Sequence, residues 1–219
     1  MAKKVAVLLS GCGVYDGSEI YEAVLTLLRL DQSGAEYQCI APNDEMMHVI
    51  NHATGEEMSE SRNMLVEAAR LARGNVQDLA EAKQESFDAL ILPGGFGAAK
   101  NLCDFAVKGS EMSVRPDVLS FVRSFHQAEK PVGLMCIAPV MMPVIFGKGV
   151  KCTIGTDPDV ADEIRTMGGD HQDRGVDDVC IDPVNKLVST PAYMLATGMH
   201  EASKGIFTLV DEILSMIKK

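Results

Sequence analysis

Two patterns of apolar residues alternate along this chain. The segments Lys4–Ser10, Tyr37–Ala41 and Asp88–Leu92 are short and almost wholly apolar, which is typical of parallel strands covered on both faces. Between the first two, apolar positions from residue 20 to residue 28 recur at helical spacing, and Ser18 is the predicted N-cap. Strands that alternate with helices predict an α/β fold with a doubly wound, mostly parallel sheet.

The second half of the chain continues this alternation. Helical spacing predicts helices near residues 98–104, 115–127, 160–167 and 200–217, with a strand near Cys152 and an Asp-rich hairpin that turns at Pro183–Asn185. We interpret residues 1–219 as a single domain. Its least regular part, residues 43–86, is predicted to be an insertion at the edge of the sheet, with a helix from about residue 61 to residue 73.

Composition narrows the classes of partner. The chain has 31 acidic and 20 basic residues and a net charge of −11, which disfavours binding to nucleic acid or anionic lipid. No apolar run approaches the roughly 20 residues that span a membrane. The six cysteines form no CxxC pair, and the first residues are too short in their apolar part for a secretory signal. We therefore expect a cytoplasmic protein that binds neither nucleic acid nor membranes.

Cys136 is the first candidate for chemistry. The apolar run Pro131–Pro139 passes through this cysteine and opens into Val140–Phe146, which can be helical. A strand that turns sharply into a helix exposes its corner residue beside unpaired N–H groups. The pattern predicts a nucleophile whose thiol pKa lies below the free value of about 8.5. The alternative is a cysteine buried in the core.

Two further segments are expected at the same edge of the sheet, where the strands end. Gly94 and Gly95 follow the third core strand, and with the N–H of Ile137 they are candidate donors to a developing alkoxide. The alternative is a tight turn that requires glycine.

Two acids of the first helix are candidates for a proton partner of the cysteine. Glu22 lies about one turn into the helix and can point back toward the sheet edge. Beside a thiolate in a desolvated pocket, such an acid tends to stay protonated and to titrate together with the thiol. Glu19 competes for this role, although an interaction with the helix dipole explains it better.

Other sequence patterns are weaker evidence for a cofactor or metal site. The segment Gly11–Gly17 imitates a dinucleotide loop, but its spacing is one residue too long and Asp16 opposes a pyrophosphate. We therefore predict no cofactor, and we keep Cys12 in this segment as the one rival of the nucleophile. His48 and His52 lack an evident third ligand, so no metal site is predicted.

Four motifs carry a resemblance to a known family. The chain closely resembles the PfpI and class I glutamine amidotransferase-like superfamily, most of all its ElbB glyoxalase family, over essentially its whole length. The matching motifs are GCGVYDGSEIYEAV, PGGFGAAKNL, GLMCIAP and STPAYMLA. The resemblance implies a flavodoxin-like fold, with Glu22 as the acid, Cys136 as the elbow cysteine, and Gly94, Gly95 and Ile137 as oxyanion donors.

The chain also departs from parts of the superfamily. Protease-like relatives carry a histidine directly after the nucleophile, where this chain has Ile137. Amidotransferase relatives have a His-Glu pair in a loop, whereas His200 and Glu201 are predicted to open the last helix. These differences argue against peptide or amide hydrolysis and favour a dyad of Cys136 and Glu22 that acts on a more electrophilic carbonyl.

The implied activity is the cofactor-independent conversion of glyoxal, or another small 2-oxoaldehyde, to the 2-hydroxy acid. Cys136 adds to one aldehyde as a hemithioacetal, and Glu22 moves the protons. Members of this family have modest activity and commonly form homodimers. The alternative function is that of a redox-sensing or regulatory carbonyl-binding protein that uses the same cysteine.

Overall fold

The computed structural model describes residues 2–218 and contains a seven-stranded sheet and a separate pair of short strands. The strands are β1 (Lys4–Leu8), β2 (Glu36–Ala41), β3 (Val76–Asp78), β4 (Ala89–Leu92), β5 (Val132–Met135), β6 (Lys151–Cys152), β7 (Asp170–His171), β8 (Cys180–Asp182) and β9 (Leu187–Thr190). The strand order of the large sheet is β3-β2-β1-β4-β5-β9-β8, and β6 pairs with β7.

The large sheet is mostly parallel, as predicted. Each neighbouring pair from β3 to β9 runs parallel, and β8 alone pairs antiparallel, with β9, through the predicted hairpin. Strand β1 has β2 on one side and β4 on the other, so the chain reverses its direction of travel across the sheet between these strands. In doubly wound sheets, ligands bind beyond the carboxyl ends of the strands at this position.

Residues 2–218 contain seven α-helices, of which the last follows the final strand. They are α1 (Ile20–Gln32), α2 (Met64–Leu71), α3 (Phe105–Lys108), α4 (Pro116–Gln127), α5 (Met142–Phe146), α6 (Pro158–Thr166) and α7 (Met199–Met216). Asp157 caps α6 by accepting the N–H of Val160 at its side chain. No helix within residues 2–218 is both long and apolar enough to cross a membrane.

The core lies on both faces of the sheet, and β1 shows why its sequence is continuously apolar. Because successive side chains of a strand point to opposite faces, Ala6 and Leu8 pack in one apolar cluster while Val5 and Val7 pack in the other. The first cluster includes side chains of α4, α5 and α6, and the second includes side chains of α1 and α7. The sheet is therefore a middle layer with helices on both sides.

The predicted insertion is partly wrong. Its helix is α2, but the next segment, β3, pairs in parallel with β2 and forms the edge of the main sheet. Residues 64–78 therefore belong to the sheet layer, and residues 43–63 are the irregular part. The apolar pattern does not indicate β3, because this strand has only three half-buried residues, Val76–Asp78, and two of them are polar.

The predicted N-cap of α1 is wrong by one residue. The carboxylate of Glu19 accepts the N–H of Glu22 at 2.7 Å and caps the helix. The Ser18 hydroxyl instead accepts the N–H of Ser10 at 2.8 Å, in a completely buried position. Ser18 therefore closes the turn that follows β1, and Glu19 brings a negative charge to the edge of the sheet.

Candidate active site

Cys136 lies at a sharp turn between β5 and a short helical segment. Its φ of 60° is in the left-handed region, which costs a non-glycine residue roughly 1 kcal/mol or more. Its N–H donates to the carbonyl of Thr190 at 3.0 Å, so β9 holds the turn in place. The chain continues into the 3₁₀ turn Ala138–Met141 and then α5. The strand-to-helix turn expected from the sequence is present.

Glu22 faces this cysteine from α1. Its side chain is completely buried. Oε2 accepts the N–H of Gly94 at 2.8 Å, and Oε1 accepts the N–H of Tyr193 at 3.1 Å. The thiol of Cys136 lies close enough to this carboxyl group to influence its pKa. Main-chain donors from two separate loops therefore fix the orientation of the carboxyl group toward the sulfur.

The environment of Glu22 makes it a weak acid. Burial, and after it the nearby negative charge of Glu19, raise the pKa of this carboxyl to about 7 against the opposing effect of the N–H groups of Tyr193 and Gly94. A carboxyl group with a pKa near neutrality exchanges protons readily at working pH. The side chain is thus suited to act as a general base and then as a general acid.

The thiol of Cys136 differs from the sequence-based prediction. Burial raises its pKa well above the usual value, the charge of Glu22 adds to the effect, and the N–H groups of Gly95 and Ile137 oppose it more weakly. The prediction of a lowered pKa is therefore wrong. It assumed an exposed corner and a strong helix dipole, whereas only a 3₁₀ turn and the five-residue α5 follow.

The predicted oxyanion donors divide into two groups. The N–H of Gly94 is already engaged with Glu22, so this residue is not a donor to an oxyanion in this arrangement. The N–H groups of Gly95 and Ile137 lie close enough to the sulfur of Cys136 to oppose the rise of its pKa, so these two residues remain candidate oxyanion donors. Gly94 contributes space instead, because a Cβ on it would lie 2.5 Å from Cβ of Cys136.

The two alternative candidates, Glu19 and Cys12, differ in whether they line the cavity beside Cys136. Glu19 is buried and lines the cavity beside Cys136, and burial raises its pKa. Cys12 is partly exposed, does not line that cavity, and has Glu67, Arg70 and Asp16 as its charged neighbours. The segment after β1 nevertheless joins the site, because the N–H of Phe96 donates to Val14 at 2.7 Å.

A cavity of about 400 Å³ is lined by Cys136. Its walls include Glu19, Gly95, Ile137 and Tyr193. All of these residues lie beyond the carboxyl ends of the strands, where the topology places a ligand. The cavity thus joins the candidate nucleophile, the buried acid Glu19 and the two candidate oxyanion donors Gly95 and Ile137.

Tyr193 is the contact that sequence reasoning missed. It follows Ala192, whose φ of 45° is again in the left-handed region, and this strained turn directs the N–H of Tyr193 at Glu22. Pro191, directly after β9, signals a turn at this position. Nothing in the pattern indicates which side chain accepts the N–H that this turn exposes.

No histidine lines the cavity among residues 2–218. His171 is buried on β7, where its Nε2 accepts the N–H of Ile154 at 3.2 Å. His200 lies in the first turn of α7, as predicted. The titratable partner of Cys136 in this arrangement is Glu22. The two residues form a dyad and not a cysteine-histidine-acid triad.

Solved structures share this architecture. The crystal structure of an isoprenoid biosynthesis protein with an amidotransferase-like domain from Ehrlichia chaffeensis matches with a TM-score of 0.92 and 38% identity, over 99% of this chain and 100% of that chain. The structure of Drosophila melanogaster DJ-1beta matches with a TM-score of 0.56 at 14% identity, over 99% of this chain and 96% of that chain. The second likeness concerns the fold alone.

Sequence relatives correct one expectation. The chain is 43% identical to the rat (Rattus norvegicus) ES1 protein homolog, over 99% of this chain and 85% of the relative. It is 44% identical to human glutamine amidotransferase-like class 1 domain-containing protein 3, over 100% of this chain and 85% of the relative. Both relatives are named as mitochondrial. The expectation of a cytoplasmic protein is therefore wrong, since the reduced cysteines on which it rested do not separate these compartments.

The family model of the DJ-1/PfpI family matches residues 3–190, which include β1 to β9, Glu22 and Cys136. The superfamily expected from the four sequence motifs agrees with this match. The chain belongs to the DJ-1/PfpI family.

Proposed function

We propose that this protein is a cofactor-independent glyoxalase of the ElbB type, which converts glyoxal and other small 2-oxoaldehydes to 2-hydroxy acids. The observation that carries the proposal is the position of a completely buried Glu22, with a pKa of about 7, close enough to Cys136 that the carboxyl group and the thiol shift each other's pKa. A thiol with a raised pKa needs a base at the moment of attack, and this carboxylate is already in contact with it.

In the first step, the sulfur of Cys136 attacks the aldehyde carbon. An S–C bond forms, the π bond of the carbonyl breaks, and the thiol proton moves to the carboxylate of Glu22. The N–H groups of Gly95 and Ile137 stabilise the negative charge that develops on the carbonyl oxygen. Proton return to this oxygen gives the hemithioacetal.

In the second step, Glu22 shifts a proton between the two substrate carbons. Its carboxylate takes the proton from the hemithioacetal carbon, and the electron pair of that C–H bond forms an enediolate. The remaining hydroxyl proton passes to the oxygen of the neighbouring carbon, and the protonated acid then returns its proton to that carbon. The first carbon is oxidised to a thioester while the second is reduced to an alcohol, so no external oxidant or reductant is required. Water then cleaves the thioester, releases the 2-hydroxy acid and restores the thiol.

The alternative function, a redox sensor, is less well supported. Thiolates and not thiols react with peroxide, and burial raises the pKa of the Cys136 thiol well above its usual value. In the glyoxalase mechanism the same burial is useful, because it keeps the intermediate away from water until the proton shift is complete.

The decisive experiment is product analysis. Purified protein is incubated with glyoxal and with methylglyoxal, and glycolate and lactate are quantified over time. We expect modest turnover without added thiol or metal, and its loss in Cys136→Ser. Turnover that survives this substitution would overturn the assignment of the nucleophile, and absence of both products would overturn the proposed activity.

We also propose a homodimer, which the family resemblance suggests. One supporting feature is the outer face of α1, where Tyr21, Val24 and Leu28 are each more than 40% exposed and recur at helical spacing. Light scattering coupled to size-exclusion chromatography tests the proposal. A monomeric mass at micromolar concentration would contradict it.

A further inference from the structure

The cavity at Cys136 is larger and more apolar than glyoxal requires. Its apolar walls come from five separate segments and include Val14, Phe96, Phe105, Val160 and Met194. Its volume of about 400 Å³ lies within the range of sites for drug-sized ligands. A two-carbon dialdehyde leaves most of this apolar surface without a partner.

The charges of the cavity are all of one sign. Among residues 2–218, its charged lining residues are Glu19 and Asp157, and no basic side chain lines it. Glu19 is only 7% exposed, so solvent screens its charge poorly. The ammonium of Lys100 contacts the ring of Phe96, but it donates to the carbonyl of Tyr15 at 3.0 Å and does not line the cavity.

We propose that this site selects uncharged 2-oxoaldehydes with an apolar substituent of several carbons and rejects those that carry a carboxylate or phosphate. The inference rests on the proposed function and specifies its substrate class. Each methylene that leaves water for the apolar walls favours binding about threefold to fourfold. An anionic substituent, in contrast, enters a cavity that holds two acids and offers it no cation.

The first test is a substrate series with the wild-type protein. We expect kcat/KM to rise at least about tenfold from methylglyoxal to 4-methyl-2-oxopentanal, which adds three carbons. We expect 4,5-dioxopentanoate to react at least about tenfold more slowly than its methyl ester, which removes the charge and keeps the chain. A flat or falling series, or equal rates for the acid and the ester, would overturn the proposal.

The second test does not depend on turnover. Iodoacetamide, N-butyliodoacetamide and iodoacetate alkylate Cys136 with formation of an S–C bond, departure of iodide and transfer of the thiol proton to Glu22. Mass spectrometry of the Cys136 peptide gives each rate, which is divided by the rate with free N-acetylcysteine. We expect the order butylamide, amide, acetate, with at least about tenfold between the first and the last.

A pair of variants on α3 tests the charge directly. Ala106 is exposed and lines the cavity, so Ala106→Lys adds a cation at its edge without disturbing the core. We expect the ratio of acetate to amide reactivity to rise several-fold in this variant. Val107 is 67% exposed on the same helix and does not line the cavity, so Val107→Lys is the matched control. Equal ratios in the two variants would contradict the role of cavity charge.

The two tests separate this inference from the proposed function. Selective alkylation without turnover of any aldehyde would refute the glyoxalase and leave the ligand class standing. Turnover of glyoxal and methylglyoxal without selectivity in either series would refute the ligand class and leave the glyoxalase standing.

Discussion

The main-chain N–H of Gly94 donates to Oε2 of Glu22 at 2.8 Å. The same glycine lies so close to Cys136 that a Cβ would be 2.5 Å from Cβ of the cysteine. Gly94 thus orients the carboxyl group of Glu22 and also leaves space for the side chain of Cys136. The close approach to Cys136 requires a glycine at this position, and neither task is the oxyanion role that the sequence suggested for it.

Cys136→Ser should abolish aldehyde turnover. The change is nearly isosteric and creates almost no cavity, so the free energy of unfolding should stay within about 1 kcal/mol of the wild-type value. Product analysis and chemical denaturation of the same preparation provide the two measurements.

Cys12→Ser is the matched control for this variant. Cys12 lies in the loop after β1 but does not line the cavity, so turnover should be retained. Loss of activity in Cys12→Ser, with activity kept in Cys136→Ser, would mean that the nucleophile is the other cysteine.

Glu22→Gln should lower kcat roughly 100-fold or more, because the amide cannot accept the thiol proton. In the wild-type protein, kcat/KM should rise with pH through about 7 as this carboxyl ionises. Measuring kcat/KM from about pH 5 to about pH 9 tests both statements. A rate that is independent of pH across this range would argue against Glu22 as the base.

Glu19→Gln should move the midpoint of that pH profile to lower pH. The negative charge of Glu19 contributes to the raised pKa of Glu22, and glutamine removes the charge while keeping an oxygen that can cap α1. Asp157→Asn is the matched control, since it removes the other acid of the cavity. An unchanged midpoint in Glu19→Gln, or an equal shift in both variants, would contradict this role.

Protein stability should fall as the pH rises through about 7. The Glu22 carboxyl has a pKa of about 7 in the folded protein against an ordinary value of 4.5, so the folded state binds this proton more tightly. Its contribution is complete below about pH 4.5 and decreases by on the order of 3 kcal/mol by pH 8. Denaturation of the wild-type protein and Glu22→Gln across this range should show a clearly larger decrease in the wild type, since Glu19, whose pKa is also raised, remains in the variant. Parallel curves would refute the assignment.

Glu22→Gln should also lower the free energy of unfolding by an amount that does not depend on pH. Both carboxyl oxygens accept main-chain N–H groups, whereas a glutamine has one such oxygen and leaves one buried N–H unpaired. The expected loss is about 1–3 kcal/mol. This loss lowers the free energy of unfolding of the variant equally at every pH. The difference between the two proteins in the slope of stability against pH therefore stays measurable.

Gly95→Ala should destabilise the protein much more than Gly34→Ala. Both glycines have positive φ, 92° and 68°, so each alanine adds backbone strain of about 1–2 kcal/mol. A Cβ on Gly34 meets no atom within 4 Å, whereas one on Gly95 lies 2.4 Å from the main-chain N of Glu19. The difference in denaturation midpoint therefore measures the close approach of the two loops. Equal losses would mean that these loops separate easily.

The pattern of apolar residues was sufficient to predict most of the fold. Buried parallel strands such as β1 and β4 must be apolar on both faces, so their sequences identify them. β3 escaped this reasoning because an edge strand of three residues buries too little to require apolar side chains. The cap at Glu19 was missed because Ser18, the residue type favoured for caps, is used by Ser10 of another segment.

The site was predictable in position but not in electrostatics. The turn at Cys136 follows from a local pattern, and the meeting of three strand ends follows from the parallel topology. The pKa of its thiol depends on the depth of burial and on the charge of Glu22, which only the packed structure determines. The contact between Tyr193 and Glu22 joins residues far apart in the chain and has no local signature.

Glu22 receives its two N–H donors from positions 72 and 171 residues further along the chain. Contacts with such separations close large loops, so they are entropically costly and form late in folding. The carboxyl group is therefore buried and oriented only after nearly the whole chain has assembled. During refolding from denaturant, we expect enzymatic activity to return with the slowest phase, after helical structure is already complete.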